Sequence, residues 1–214
     1  MKDIVIIGAG DFGKEVAWLI EDINKVSPTY KLIGFLDDDG EKIGERIYKD
    51  YRCLGSIGLL DGQLKYKSLC AVIAMQDVDV RKRIVALHPS FTNWETLVHP
   101  LANISNSSII GDGCIICTGS VVSVNTIIGD HCIFNISVTI GHDCTIGNYV
   151  SIMSGTCISG HVVIKDEAYL ATNCTVIPKM KVGVHAVVGA GSVVLRNVRD
   201  KTTVLGVPAK VFKF

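Results

Sequence analysis

Residues 104–146 read ISNSSIIGDGCIICTGSVVSVNTIIGDHCIFNISVTIGHDCTI, and every sixth residue is large and apolar. The series runs from Ile104 through Ile110, Ile116, Val122, Ile128 and Phe134 on to Val194, sixteen positions without a break. Four places after each comes a small or β-branched side chain, with Met180 the exception; Cys114, Cys132, Cys144 and Cys174 share this slot. Glycine directly follows the large residue at Gly111, Gly129, Gly141, Gly147, Gly183 and Gly189. A period of six matches neither the two of a flat strand nor the 3.6 of an α-helix. One bulky and one small inward side chain per hexad builds a parallel β-helix of short strands, three hexads to a triangular turn. From Ile104 to Arg199 this predicts a little over five turns, and the four cysteines of the small slot need no metal or redox role.

Outside the repeat the charge changes character. The chain has 214 residues with 21 basic and 21 acidic side chains, hence no formal net charge. Of these 42 charges, 28 lie in residues 1–98; between Leu101 and Ile164 there are only Asp112, Asp130 and Asp143. The shift predicts two domains, 1–98 and 99–214, meeting near His99-Pro100. No basic block is present to bind nucleic acid, and no run of about 20 apolar residues could span a membrane. The opening MKDIVIIGAG reads as a strand entering a glycine turn rather than a signal peptide. A cytoplasmic, reducing location is therefore expected, with the eight cysteines as small core residues. A prism so poor in charge turns Ile, Val, Thr and Asn outward, and apolar patches of that kind mark interfaces. The expectation is a homotrimer with its prisms side by side.

The first domain alternates strand and helix. KDIVIIG is a β-branched strand, Phe12 to Val26 has helical spacing, KLIGFLDDD is a second strand ending in three aspartates, and CAVIAM is a third. Residues 40–62 read as a glycine-bearing loop region, and Asp79 to Leu87 as a helix. The order implies a parallel sheet with its site at the strand C-termini, where GAGDFG and Asp37/Asp38 meet. Gly8, Gly10 and Gly13 fit G-x-G-x-x-G between a strand and a helix, a turn whose amides approach a phosphate closely; a plain strand-to-helix turn is the alternative. Fewer than 100 residues suit one nucleoside diphosphate better than a dinucleotide.

The [Ile/Leu/Val]-Gly-x-x-x-x array resembles the left-handed β-helix of hexapeptide-repeat acyltransferases, and the ending Gly206-Val-Pro-Ala-Lys210 resembles the GxPAK close of sugar acetyltransferases. With GAGDFG, FLDD and the segment Asn135-Ile-Ser-Val-Thr-Ile-Gly-His142-Asp143-Cys, the whole chain resembles the NeuD/PglD family of sugar O- and N-acetyltransferases. The resemblance implies an α/β Rossmann-like nucleotide-sugar-binding domain followed by a left-handed parallel β-helix. It implies an N-acetyltransferase using acetyl-CoA on the 4-amino group of a UDP- or dTDP-linked 4-amino-4,6-dideoxy sugar, without a metal, in a homotrimer with active sites between subunits.

Residue by residue, the resemblance puts the nucleotide sugar at Gly10, Asp11, Phe12, Asp37, Asp38 and Gln76, and the reacting sugar at Asn135. Acetyl-CoA falls near Ser151, Thr172 and Ala190. His142 matches the family's catalytic histidine and Asp143 the acid after it. Two departures stand out: Ser151 replaces the histidine that some members carry nine residues after the catalytic one, and Gln76 replaces a glycine after the third strand.

Among the other histidines, His131, His161 and His185 each fall three places after a large residue and are expected to be exposed. His142 falls two places after Ile140, beside Asp143, where the residues alone fit an interface histidine as well as a catalytic one. Its chemistry suits the reaction, since an imidazole titrating near neutrality can take the proton that a sugar amine loses on attacking a thioester. Cys144 occupies an inward slot and is not expected to act as a nucleophile. Four alternatives share parts of the pattern. A serine-type or carbohydrate acetyltransferase of another branch shares the β-helix but not the GAGDFG domain. A sialic-acid O-acetyltransferase has both domains, and a non-catalytic trimeric scaffold needs no His142-Asp143 pair. A γ-class carbonic anhydrase needs closely spaced ligand histidines, whereas His131, His142 and His161 are 11 and 19 residues apart.

Overall fold

The computed structural model describes residues 1–62 and 68–213. The chain divides into two compact units, Met1–Pro100 and Leu101–Phe214.

In the first unit a parallel sheet forms from β1 (Lys2–Ile7), β2 (Tyr30–Leu36), β4 (Tyr51–Gly55) and β5 (Cys70–Ile73), with β3 (Arg46–Tyr48) antiparallel at the edge. Its order is β3-β4-β2-β1-β5. The β-branched run Ile4 to Ile7 is fully buried, as a central parallel strand requires. Helix α1 (Asp11–Val26) turns Val16, Ala17, Leu19 and Ile20 inward and stops at Ser27, because Pro28 disfavours a helical conformation before it. Helix α2 (Val78–Leu87) starts at Asp77, whose carboxylate accepts the amides of Asp79 and Val80. The region read as a loop contains the β3–β4 hairpin. These strands are short, and Arg46 and Arg52 point to solvent, so their alternation is too brief and too charged to stand out in the sequence.

The second unit is the parallel β-helix that the repeat predicts. Two-residue strands pair 18 residues apart: Val121 with Thr139, Ile127 with Thr145, Ile133 with Ser151. A first face carries the strands at 103–104, 121–122, 139–140, 157–158, 175–176 and 193–194. A second carries 109–110, 127–128, 145–146, 163–164 and 181–182, and a third carries 115–116, 133–134, 151–152, 169–170 and 187–188. Five 18-residue steps separate Asn103 from Val193 on the first face. The second residue of each strand points inward, and from Ile116 to Val194 every one is buried. Ile104 and Ile110 are only half-buried, because their turn is the first of the stack; Met180 is half-exposed.

Corners close through one residue in the left-handed backbone region, three places after each inward residue from Ile110 to Val188. Gly113, Gly119, Gly155 and Gly191 fill it in some corners; Asn125, Asp143, His131 and His161 fill it in others. Asn, Asp and His tolerate that region better than most residues. Phe134 is fully buried among aliphatic neighbours. Phe134→Ala is expected to lower the unfolding free energy of the β-helix by about 3–5 kcal/mol, read from urea denaturation.

The charge-poor turns carry an apolar exterior: Leu101 is 74% exposed, Ile109 64% and Ile127 51%. No helix among the described residues is long and apolar enough to cross a membrane. Seven of the eight cysteines are buried, and Cys157 is exposed.

Candidate active site

The β1–α1 turn opens a cavity of about 390 Å³ lined by Gly8, Gly10, Asp11, Phe12, Asp37, Lys42, Ala74, Met75 and Gln76. Each motif glycine has its own reason. Gly8 sits at φ +109° with the carbonyl of Ala74 2.9 Å from where a Cβ would be, and a Cβ on Gly13 would strike the carbonyl of Gly8. Nothing lies within 4 Å of a Cβ on Gly10, so Gly10 faces the open space. It is the N-cap of α1 and provides no side-chain cap, so the first amides of the helix remain available to an anion.

Asp37 braces this turn. Its Oδ2 accepts the amide of Ala9 at 2.8 Å and the ammonium of Lys42 at 3.1 Å, and its Oδ1 accepts the amide of Asp39 at 3.0 Å. Burial pushes this carboxyl up, but those two amides and the Lys42 ammonium outweigh it and hold the group below the ordinary carboxylate range. A carboxyl depressed on folding stabilises the unit above its unfolded pKa, about 4, and that contribution is lost as pH falls through the folded value. The first unit is expected to melt earlier below about pH 4, and Asp37→Asn to flatten this dependence, followed by circular dichroism against pH. Asp38 accepts the amide of Ile57 and lines a neighbouring cavity of about 190 Å³ with Met75, Arg83 and His88.

In the β-helix, His142 and Asp143 form the corner between the first and second faces. Nδ1 of His142 lies 2.7 Å from Oδ2 of Asp143, and the side-chain amide of Asn125, one turn below, donates through Nδ2 to Oδ1 at 3.1 Å. These two hydrogen bonds hold the Asp143 carboxyl below its ordinary range. The pair is half exposed, His142 at 53% and Asp143 at 39% of their side chains. One turn above His142 stands Gly160, whose missing Cβ leaves room for the ring: a Cβ there would lie 2.5 Å from Nε2 and 2.7 Å from Cε1. His161, one turn above Asp143, meets the His142 ring edge to face at 4.9 Å. Asp112, Asp130, Asn148 and Asp166 occupy another corner, where the last three each cap an amide of the turn below. Two of the three acids in the charge-poor stretch are thus part of a structural ladder, and Asp143 alone is paired with a histidine.

The family described as PglD N-terminal domain matches residues 3–87. GDP-perosamine N-acetyltransferase of Escherichia coli O157:H7 is 30% identical over 177 residues, covering 80% of this chain and 76% of that enzyme. The chain belongs to the NeuD/PglD-type acetyltransferase family. The acetyltransferase domain of PglB from Neisseria gonorrhoeae FA1090 superposes with a TM-score of 0.89 at 28% identity, covering 99% of this chain and all of that one. PerB from Caulobacter crescentus, solved with CoA and GDP-perosamine, gives 0.86 at 26%, covering 100% and 98%. Serine acetyltransferase of Bacillus subtilis is 42% identical over 82 residues, 35% of this chain; the chain spans only 38% of that enzyme's length. The fold class is that of the family, a Rossmann-like domain and a left-handed β-helix.

Within this family member, Gly10, Asp11, Phe12, Asp37 and Gln76 share one cavity, with Asp38 in the next. Asn135 does not share the corner of His142. It lies at the other edge of the first face, 7% exposed, where Oδ1 accepts the amide of Ile136 at 2.7 Å and the hydroxyl of Ser154 at 3.1 Å. Thr172 and Ala190 stand exposed on that same edge, one and two turns above Ser154, whereas Ser151 is buried on the third face. Cys144 is buried, its thiol donates to the carbonyl of Ser159 and burial pushes its pKa up, so it is no nucleophile. His131 is a correction: it is buried, its ring laid over Gly113 and stacked on Tyr149 at 5.1 Å. Spacing in sequence also misled for His161. Nineteen residues is one turn plus one, which sets it beside His142, while His131 stays in a different corner. Sequence reasoning missed Lys42, Asn125 and Gly160; only the 18-residue stacking partner of each position would have singled out the last two.

Proposed function

We propose that the protein transfers the acetyl group of acetyl-CoA to the amine of a nucleotide-linked 4-amino-4,6-dideoxy sugar in the cytoplasm. The observation that carries this is the His142–Asp143 pair, oriented through Nδ1 and set at an open corner. With its Nδ1–H donating a hydrogen bond to Asp143, neutral His142 keeps a lone pair on Nε2 for the amine proton. The amine attacks the thioester carbonyl, the tetrahedral oxyanion collapses, and the CoA sulfur leaves with the proton that His142 returns. No covalent acyl-enzyme is needed. The first unit binds the nucleoside diphosphate, its phosphates at the bare α1 N-terminus with Lys42 as counter-charge; UDP and dTDP are our preferred nucleotides.

Two observations support a homotrimer with shared sites. The apolar exterior of the charge-poor turns needs a cover, and His142 and the Asn135–Thr172–Ala190 edge lie on different edges of one prism. A neighbouring subunit would bring one edge against the other, with acetyl-CoA along the groove. A monomer in sedimentation would contradict this arrangement. For substrate, the protein is mixed with acetyl-CoA and UDP-, dTDP- or GDP-linked 4-amino-4,6-dideoxy sugars, with free sialic acid alongside, and products are read by mass. Acetylation of an aminosugar is the expected result; acetylation of sialic acid alone would overturn the substrate class.

A further inference from the structure

Asp143 and His161 occupy the same slot in successive turns, both in the left-handed backbone region at φ 56° and 59°. With His142 they present two imidazole nitrogens and a carboxylate oxygen, all within 4.8 Å of one another. Oδ2 of Asp143 is the common point, 2.7 Å from Nδ1 of His142 and 3.9 Å from Nε2 of His161. Asn125 holds the other carboxylate oxygen, an outer hydrogen bond of the kind that orients metal ligands. The His142 ring is seated over Gly160, and both ladder residues are fixed by backbone hydrogen bonds to the turn below, Asp143 to Val124 and His161 to His142. The donors are thus gathered before any ion arrives, and side-chain rotation at this exposed corner closes them to bonding distance. Two imidazoles and one carboxylate suit zinc, with water in the fourth position, and do not suit magnesium or calcium, which prefer all-oxygen shells.

We propose that this corner binds one Zn²⁺ per chain through His142, Asp143 and His161, and that the ion acts as a reversible inhibitor rather than a cofactor. Zinc on Nδ1 displaces the proton shared with Asp143. The neutral ring then carries that proton on Nε2, and the lone pair required of a base is gone. The inhibitory half rests on our reading of His142 as the base; the binding half does not.

Metal-free full-length protein titrated with zinc chloride in a calorimeter is expected to take up one ion per chain, and cobalt(II) in its place to show the intense visible bands of a low-coordinate site. His161→Asn, whose new side chain tolerates the left-handed corner, is expected to weaken zinc binding by at least about tenfold, with an unchanged melting temperature as the check on folding. Absence of saturable binding, or equal affinity in the variant, overturns the site. Inhibition is read from acetylated product by mass, because zinc also binds the thiol of CoA. Wild-type turnover restored by EDTA supports inhibition, and turnover indifferent to a bound ion overturns it. Zinc uptake by a protein that acetylates no aminosugar would leave the site standing and remove the proposed reaction.

Discussion

Acetyl transfer by His142→Ala is expected to fall by at least about a hundredfold, with no loss of thermal stability. The size follows from the role: a positioned general base contributes roughly two to four decades, and no other imidazole is hydrogen-bonded to Asp143 within 3.5 Å to replace it. The ring is half exposed and fills no core space, so its removal leaves the inward ladder of Ile140 and Cys144 intact. Steady-state rates on acetyl-CoA and the aminosugar measure the effect, and calorimetric melting controls for folding. Turnover within a few-fold of wild type would reduce His142 to an interface residue, the reading its sequence position alone allowed. Asp143→Asn is expected to act in the same direction, because an amide no longer fixes the Nδ1-protonated tautomer.

Gly160→Ala tests the same site from outside the chemistry. Gly160 touches no substrate in the proposed mechanism, yet an added methyl would stand 2.5 Å from Nε2 and 2.9 Å from Cδ2 of His142. The ring must swing away, which breaks its alignment with Asp143. A displacement of about 1 Å in a reacting group costs up to a hundredfold, so a loss of ten- to a hundredfold is expected. Stability should barely change, since His142 can rotate into solvent and Gly160 is not in the left-handed backbone region. The diagnostic comparison is the double variant Gly160→Ala/His142→Ala, which should be no slower than His142→Ala. Independent, multiplicative losses would show that Gly160 acts elsewhere.

The β-helix was legible because its large inward slot repeats without a break and its small one breaks only at Met180, and a chain that must fill one core residue every six positions has little freedom to disguise it. Phe134, Cys144 and Val188 all lie inward where the period puts them. The β3–β4 hairpin was not legible, since the edge strand has three residues and buries none of them, and its neighbour buries only Cys53 and Gly55 between exposed Arg52 and Leu54. Of the site, the glycine turn and Asp37 were visible as a motif, but not that Asp37 would spend its oxygens on Ala9 and Lys42. His142 and Asp143 were visible through resemblance; Asn125, Gly160 and His161 were not. Their link to the pair is a vertical one, 17 to 19 residues away along the chain, and a linear scan for motifs sees only horizontal neighbours. His131 shows the same limit, exposed by slot and buried by the particular partners Gly113 and Tyr149.

The fixed 18-residue step also makes the second unit unforgiving toward changes of length. Deleting one residue between Asp143 and His161 would move every later side chain by one slot, exchanging the interior and exterior of the strands above the lesion. An insertion of 18 residues keeps the frame and adds a storey. Such a chain should still fold, but any group it presents above the new storey would be lifted by one strand spacing, about 4.8 Å, relative to His142. The β-helix is thus a ruler graduated in whole turns, and the span between the base and whatever the upper turns hold can vary only in those increments.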